Sequence, residues 1–365
     1  MKRISILTFW SVPNYGAFAQ AYALNRFVKS IKPDVDVEHI AYLHPKHWAL
    51  YFKKSRPALV SKRQLLSRSF YKQWVSFIRD KQIKYPYFSQ DWDMIPHIEV
   101  ESESKLEEMR WDTVITGSDA IWEYSIGEFG DDVHLIGNRL KCNKLIAYAA
   151  SFGNMNIGDT FPVFVKSGLE KYNAISVRDQ SSYDIICNQL QRNVKCPIVL
   201  DPTLLYDFKK DGEIPAPAYE KYILVYGNEF SETLIQEVKK YARKNDLQII
   251  GAGIAPEWCD IRLTEIRPIE WIGMFSGADF VVTCTFHGLM FSINYNKKVV
   301  FNQIEYVRNR SEWLLELLGL SYLYESAQSL KDILDYEWDY DCINMRLSEV
   351  RKESQRFLEE VLADE

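Results

Sequence analysis

The chain has 365 residues, of which 47% are hydrophobic and 26% are charged, and its formal net charge is −6. This balance excludes an intrinsically disordered chain, and the length favours two domains over a single core. The sequence has no run of about 18 apolar residues, which argues against a membrane-spanning helix. The six cysteines are scattered and contain no CxxC pair, which argues against a disulfide framework and against a zinc site. We therefore expect no metal.

The chain opens with Met1-Lys2-Arg3 and passes directly into the apolar run 4–9. This run is too short for the h-region of a signal peptide, and no small-residue cleavage site follows it. We therefore expect a cytoplasmic protein.

Apolar runs then alternate with helical patterns, which is typical of βαβ units around a parallel sheet. Asn14-Tyr15-Gly16 forms a turn after the first run. In the first half we predict strands at 4–9, 35–41, 113–116, 145–149, 174–177 and 198–200. Helices are predicted at 17–31, 62–84 and 161–172.

A proline-containing segment, 201–218, reads as a linker to a second α/β series. Its predicted strands are 222–226, 247–250, 280–283 and 298–301, and its helices lie near 231, at 270–277, from 287 onwards and at 311–318. We divide the chain into domains 1–205 and 206–340, followed by an amphipathic helix in 341–365 that packs across their junction.

One segment differs in charge from the rest. Residues 46–84 hold eleven Lys or Arg and one acid, Asp80, whereas the remainder has 33 basic and 49 acidic residues. Basic segments with interleaved aromatics lie on anionic membranes or bind nucleic acid. Because the rest of the chain is so acidic, nucleic acid is the least favoured partner. We expect this segment to hold the acceptor side of the site, in peripheral contact with an anionic membrane; the competing interpretation is a solvated helix.

Ligands of open parallel sheets bind beyond the carboxyl ends of the strands. Small, polar and charged residues cluster after six of the apolar runs, which together locate a site. They are Asn14-Tyr15-Gly16, Gly117-Ser118-Asp119, Ser151-Phe152-Gly153, Arg178-Asp179, Gly251-Ala252-Gly253 and 283–288. None completes a dinucleotide-binding fingerprint, and no Walker, HExxH or GxSxG motif is present.

His287 is the strongest single candidate, because it follows a strand and opens a helix. The N–H groups of Gly288 and its successors would offer an anion site there, and an imidazole transfers protons near neutral pH. Arg178, at another strand end, suits a carboxylate or phosphate. Asp119 fits either a general base or a helix cap. Each of the three also has a structural alternative, such as a cap, a core hydrogen bond or an ion pair.

Several of these stretches together resemble the polysaccharide pyruvyl transferase family, in order, over about residues 4–320. The matching stretches are Ile6-Leu7-Thr8-Phe9 with Asn14-Tyr15-Gly16-Ala17 and 20–24, 114–122, 148–153, 175–179, 201–205, 281–283 with Phe286-His287-Gly288 and 291–293, and Arg310 ahead of 314–320.

The resemblance implies two Rossmann-like domains with an interdomain cleft, similar to the glycosyltransferase B architecture. It implies transfer of a pyruvyl group from phosphoenolpyruvate to a sugar of a cell-surface polysaccharide precursor, without a cofactor. His287 and Asp119 are then the expected acid and base. The expected donor-binding residues are Arg178, Thr285, Phe286, Gly288 and Arg310. The expected acceptor-binding residues are Asn14, Tyr15, Gly16 and Ser118.

Many family members carry an arginine two residues before the histidine, where this chain has Thr285. A glycosyltransferase B-type enzyme using a nucleotide sugar therefore stays open as the alternative. A non-catalytic membrane-bound assembly factor is a third interpretation, which Arg178 and His287 argue against. The expected acceptor is a sugar or a lipid-linked oligosaccharide.

Overall fold

A computed structural model describes residues 2–52, 84–125, 132–190, 195–302, 305–325 and 329–363. It contains two lobes, each built on a parallel sheet. In the first lobe the strands are β1 (Arg3–Leu7), β2 (Asp36–Ala41), β3 (His97–Glu99), β4 (Arg110–Thr116), β5 (Lys141–Ala150) and β6 (Ala174–Val177). Its helices are α1 (Tyr15–Ile31), α2 (Pro45–Phe52), α3 (84–92), α4 (Glu103–Glu108), α5 (Val163–Leu169), α6 (Gln180–Gln189) and α7 (Pro202–Leu205).

The second lobe follows a 3₁₀ turn at Phe208–Lys210. Its strands are β7 (Tyr222–Tyr226), β8 (Gln248–Ala252), β9 (Ile261–Leu263), β10 (Phe280–Thr283) and β11 (Val299–Phe301). Its helices are α8 (Glu232–Asn245), α9 (Pro268–Gly277), α10 (Phe286–Asn294), α11 (Glu305–Leu318), α12 (Tyr322–Glu325) and α13 (Leu330–Asp335), and the long helix α14 (Tyr340–Val361) follows.

The strand orders determine where a ligand can enter each sheet. The first sheet has the order β3-β2-β1-β4-β5-β6 and the second has β11-β10-β7-β8-β9. Every pairing between these strands is parallel. The chain therefore reverses its direction of winding between β1 and β4, and again between β7 and β10. Crevices open at such switch points, beyond the carboxyl ends of the strands.

A hydrophobic core joins the lobes. Tyr15 and Phe18 of α1 belong to the same buried cluster as Trp271 and Phe291 of the second lobe. The Tyr15 hydroxyl also donates to the Ile266 carbonyl at 3.0 Å. These contacts position the start of α1 against the second lobe.

Helix α14 crosses between the two lobes. Its first half places Leu347 and Val350 in the core cluster that contains the second lobe. Its second half places Phe357 and Leu358 in a cluster with Ile4 and other residues of the first sheet. Between the halves, the Ser354 hydroxyl accepts a hydrogen bond from the Leu200 N–H at 3.0 Å.

The prediction of two Rossmann-like domains with a cleft between them is confirmed, but several elements differ from expectation. The predicted strand 198–200 is only an isolated bridge between Val177 and Ile198, because α7 begins four residues later. The edge strands β3 and β9 have three residues each, too few for a periodic signal. Most of the predicted helix 62–84 lies outside the described residues. Among the helices described, none is both long and apolar enough to cross a membrane.

Candidate active site

His287 lies in the first turn of α10, directly after β10. Thr285 is the N-cap of this helix, and its hydroxyl accepts the Gly288 N–H at 3.1 Å. Thr285 thus orients the helix start, and the Gly288 N–H is satisfied inside the helix. The expectation that Gly288 offers this N–H to a donor is therefore corrected by the cap.

The His287 ring lies against the backbone of Gly16, in the first turn of α1. A Cβ atom built on Gly16 would lie 2.0 Å from the His287 Nδ1. Helix α1 is capped by Asn14, whose Oδ1 accepts the N–H groups of Gly16 and Ala17. Two helix N-termini from different lobes therefore meet at one imidazole, and both favour negative charge nearby.

Arg178 forms the centre of a buried ion-pair cluster in the first lobe. Its Nη1 donates to Asp201 Oδ2 at 2.8 Å and its Nη2 to Asp119 Oδ1 at 3.1 Å. The Arg178 side chain is 1% exposed and that of Asp201 is 2% exposed. Ser118 also donates its hydroxyl to Asp201, at 3.2 Å. One guanidinium thus bridges two carboxylates from different parts of the first lobe, Asp119 after β4 and Asp201 at the start of α7.

The charges of this cluster act on His287. Burial lowers the pKa of the His287 imidazole, and this effect, with Arg178 and Arg310, outweighs the opposite influence of Asp201 and Asp119. The His287 Nε2 is buried and has no hydrogen-bond partner in the described part of the chain. An unsatisfied buried polar atom of this kind is uncommon in folded proteins and is expected where a ligand binds.

The two carboxyl groups stay ionised. Burial raises the pKa of the Asp119 carboxyl, but the Arg178 guanidinium and the His287 imidazole together lower it by more. The pKa therefore lies below its ordinary value. The pKa of Asp201 is lowered against its burial by the same two groups. Asp119 also has φ of +87°, in the region that favours glycine. Its carbonyl accepts the Ser151 N–H at 3.0 Å, which helps to hold this conformation.

Phe286 links the Arg178 cluster to the second lobe. The Arg178 guanidinium lies 4.6 Å from the centre of the Phe286 ring, and that of Arg310 lies 5.6 Å from it. Arg178, Asp201, Phe286 and Arg310 border a cavity of only about 10 Å³. A cavity of this size holds no more than about one water molecule, so it has no room for a donor.

The remaining predicted residues have mostly structural contacts. Tyr15 is buried between the lobes, with its hydroxyl bonded to the Ile266 carbonyl. Ser118 is buried and bonded to Asp201 and to the Ala149 carbonyl. Asn14 is a helix cap, and Gly16 provides the space for His287. Both hydroxyls are buried and donate to groups of the protein, and an acceptor-binding role of Tyr15 and Ser118 stays a prediction.

Asp201 is the residue that sequence analysis missed. It directly follows the apolar run 198–200, so the rule applied to the other strand ends also covers it. The prolines of 201–218 instead predict that a linker starts at Asp201. In the structure Asp201 caps α7, with Oδ1 accepting the Thr203 N–H at 3.0 Å, while Oδ2 holds Arg178.

A possible metal-ligand group lies away from this cluster. One ligand atom each of Glu103, Glu107 and His134 lie within 4.8 Å of one another. The Arg139 Nη1 pairs with Glu107 at 3.3 Å and with Glu103 at 3.6 Å. The His134 Nδ1 lies 3.0 Å from Asp132 Oδ1. A cation would have to replace the guanidinium, and the absence of a metal stays a prediction.

A comparison of the sequence with protein-family models assigns the chain to a family. The family model described as polysaccharide pyruvyl transferase matches residues 14–301, which include Gly16, Asp119, Arg178, Asp201 and His287. The chain belongs to this family. The predicted family is thus confirmed. No curated protein matches the chain by sequence.

Solved structures resemble the chain at the level of the fold. A Listeria monocytogenes protein described as a UDP-N-acetylglucosamine 2-epimerase aligns with a TM-score of 0.50 at 9% identity, covering 99% of this chain and 98% of that one. S. aureus MnaA with UDP aligns with a TM-score of 0.49 at 12% identity, covering 99% and 96%. At these identities the likeness concerns the two-domain architecture alone.

The basic segment 46–84 is described only at its two ends, because residues 53–83 lie outside the described ranges. Peripheral contact between this segment and an anionic membrane stays a prediction.

Proposed function

We propose that this member of the family transfers the pyruvyl group of phosphoenolpyruvate to two hydroxyls of a sugar in a cell-surface polysaccharide precursor, in the cytoplasm and without a cofactor. The observation that supports this most is the buried, unpartnered Nε2 of His287. It lies where two helix N-termini meet beside two arginines, in a pattern suited to an anionic donor and a proton transfer.

The reaction sets the requirements for the site. C3 of phosphoenolpyruvate gains one proton and becomes a methyl group, two C–O bonds form at C2, and the bond between C2 and the phosphate oxygen breaks. One proton from the acceptor hydroxyls goes to C3 and the other leaves with phosphate. A group that takes a proton from the acceptor hydroxyl and then gives it to C3 can carry out the first of these two transfers.

His287 has the properties of such a relay. Its lowered pKa leaves the imidazole neutral at pH 7, ready to accept a proton from a hydroxyl. Once the trianionic donor is bound, its charge adds to that of Asp119 and Asp201 and favours the imidazolium. The imidazolium can then protonate C3.

Asp119 is better suited to a supporting role than to the base predicted for it. Its Oδ1 accepts hydrogen bonds from Arg178 and from the Ala120 N–H at 2.8 Å. Its lowered pKa also makes it a weaker base. We propose that Asp119 and Asp201 hold Arg178 and stabilise the imidazolium of His287.

The donor's anionic groups need positive partners on the open side of Arg178. We propose that the N-termini of α1 and α10 supply them, with Arg178 and Arg310 contributing their charge to the site. Thr285 cannot act as an arginine clamp, because its hydroxyl caps α10. This feature keeps a nucleotide-sugar donor as the second candidate function.

A thermal-shift comparison separates the two donors. A ligand at 100 times its Kd stabilises the folded state by about 2.7 kcal/mol. We expect phosphoenolpyruvate to raise the melting temperature and UDP-, GDP- and CMP-sugars to leave it unchanged. The His287→Asn variant provides a control for binding near the imidazole. Stabilisation by a nucleotide sugar and none by phosphoenolpyruvate would replace the first function with the second.

A further inference from the structure

A second cleft, of about 790 Å³, opens in the first lobe beside the carboxyl ends of β2 and β3. Its volume lies in the usual range for small-molecule sites, about 300–1,000 Å³. Aromatic rings and carboxylates line it together. Its lining includes Trp48, Tyr85, Trp92, Asp93, Glu99 and Glu101.

The aromatic side chains offer flat apolar surfaces to a ligand. Trp48 is 41% exposed and Tyr85 is 44% exposed. Tyr85 meets Trp92 edge-on, with ring centroids 5.5 Å apart. The faces of such rings carry partial negative charge and attract weakly positive C–H groups, such as those on the face of a pyranose ring.

The polar lining of the cleft includes three carboxylate groups, and the His97 Nε2 lies 3.3 Å from Glu99 Oε1. Asp93, Glu99 and Glu101 are all exposed. Carboxylates accept hydrogen bonds from hydroxyl groups and repel anions. The buried indole Nε1 of Trp92 has no hydrogen-bond partner in the described part of the chain, although a buried tryptophan N–H usually has one. These groups suit a neutral polyhydroxyl ligand and oppose phosphoenolpyruvate.

The cleft adjoins the His287 site through one loop. Trp10 and Ser11, which follow β1, border the cleft. The same loop continues to Asn14 and Gly16, and Gly16 touches the His287 ring. A ligand in the cleft and a group at His287 therefore share the β1–α1 connection.

We infer that this cleft binds an uncharged pyranose ring of the acceptor glycan. The inference rests on the proposed function for its link to catalysis, but the binding itself needs no donor. It places sugar recognition on Trp48 and Tyr85, and places selection against acidic sugars on Glu99 and Glu101.

Saturation-transfer NMR on the full chain, without any donor, tests this inference. The probes are methyl β-D-glucopyranoside, methyl β-D-galactopyranoside and methyl N-acetyl-β-D-glucosaminide, with methyl β-D-glucuronide as the anionic comparison. We expect a neutral pyranoside to bind and Trp48→Ala or Tyr85→Ala to weaken it by about tenfold. Tyr183→Ala removes an aromatic ring of 36% exposure outside the cleft and should have no effect. The glucuronide should bind only after Glu99→Gln and Glu101→Gln are combined.

The inference would be overturned if no neutral pyranoside binds, or if neither aromatic substitution changes the binding. Equal binding of the glucuronide to the unmodified protein would also contradict it. Failure of the donor assignment gives a different result, in which the pyranoside still binds in a Trp48-dependent way while phosphoenolpyruvate does not stabilise the protein.

Discussion

Gly16→Ala is the sharpest test of the site, because the added methyl group points at one side chain. A Cβ at this position would lie 2.0 Å from His287 Nδ1 and 2.6 Å from Cε1 and Cγ. Non-bonded atoms prefer separations of about 3.5 Å, so the ring must retreat by about 1.5 Å. Displacing a reacting group by about 1 Å costs about a hundredfold in rate. We expect kcat/KM to fall by about that factor, or about 2.7 kcal/mol.

Stability should respond much less. Alanine is favoured over glycine inside a helix by up to about 1 kcal/mol, and His287 is a side chain that can rotate away. The melting temperature should therefore change little. Gly158→Ala is the control, because no described residue lies within 4 Å of a Cβ at that position.

The assay is phosphate release from phosphoenolpyruvate with an acceptor, combined with NMR titration of the His287 imidazole. Pushing the ring towards solvent should raise its pKa towards the ordinary value of about 6.5. In a His287→Ala background, Gly16→Ala should have no further effect on rate. Full activity of Gly16→Ala, or an equal loss in both backgrounds, would refute the proposed contact and its importance.

Substitutions at three further residues test the cluster and the core. His287→Asn should leave the melting temperature nearly unchanged and lower turnover by about a hundredfold, and an unfolded variant would indicate a structural histidine instead. Arg178→Ala should lower the free energy of unfolding by about 3–5 kcal/mol in urea denaturation, because Asp119 and Asp201 lose their buried partner. Arg178→Lys keeps the charge and should lower it by less. Equal stability of both variants and the unmodified protein would contradict the ion-pair cluster. Burial lowers the pKa of His39 to about 3, so below pH 6.5 the unfolded chain binds an extra proton and stability falls as pH falls. Between pH 7 and pH 5 the unmodified protein should lose about 2 kcal/mol more than His39→Gln, and parallel losses would reject this assignment.

Most of the fold can be predicted from the pattern of apolar residues, because the central strands are continuous apolar runs that are long enough to recognise. Strands such as β7 and β10 are buried along their whole length, as in any parallel sheet with helices on both faces. The short edge strands β3 and β9 lack this signal. Their positions depend on pairing with other strands. Strand β3 pairs with β2, which is distant in sequence, and β9 pairs with β8 across an irregular stretch of chain.

The site was predictable in position but not in its contacts. The rule about strand ends places Asp119 and Arg178 at the carboxyl edge of the first sheet and His287 at the carboxyl edge of the second. It could not show that Arg178 is already paired with Asp201, because that pairing depends on side-chain geometry across 23 residues. The contact between Gly16 and His287 depends on how the two lobes dock, which no local pattern encodes.

The path of α14 has a consequence for how the chain is made. Phe357, Leu358 and Leu362 complete the hydrophobic cluster that covers Ile4 and Ile6 of the first sheet. While the ribosome synthesises the second lobe, that cluster lacks the side chains of α14 and has only the cover that elements of the first lobe, such as Leu24 and Val28 of α1, supply. At about 5–20 residues per second, this interval lasts on the order of ten seconds. The nascent first lobe is therefore a natural client for chaperones, and any product that ends before α14 carries an open apolar surface and is prone to aggregate.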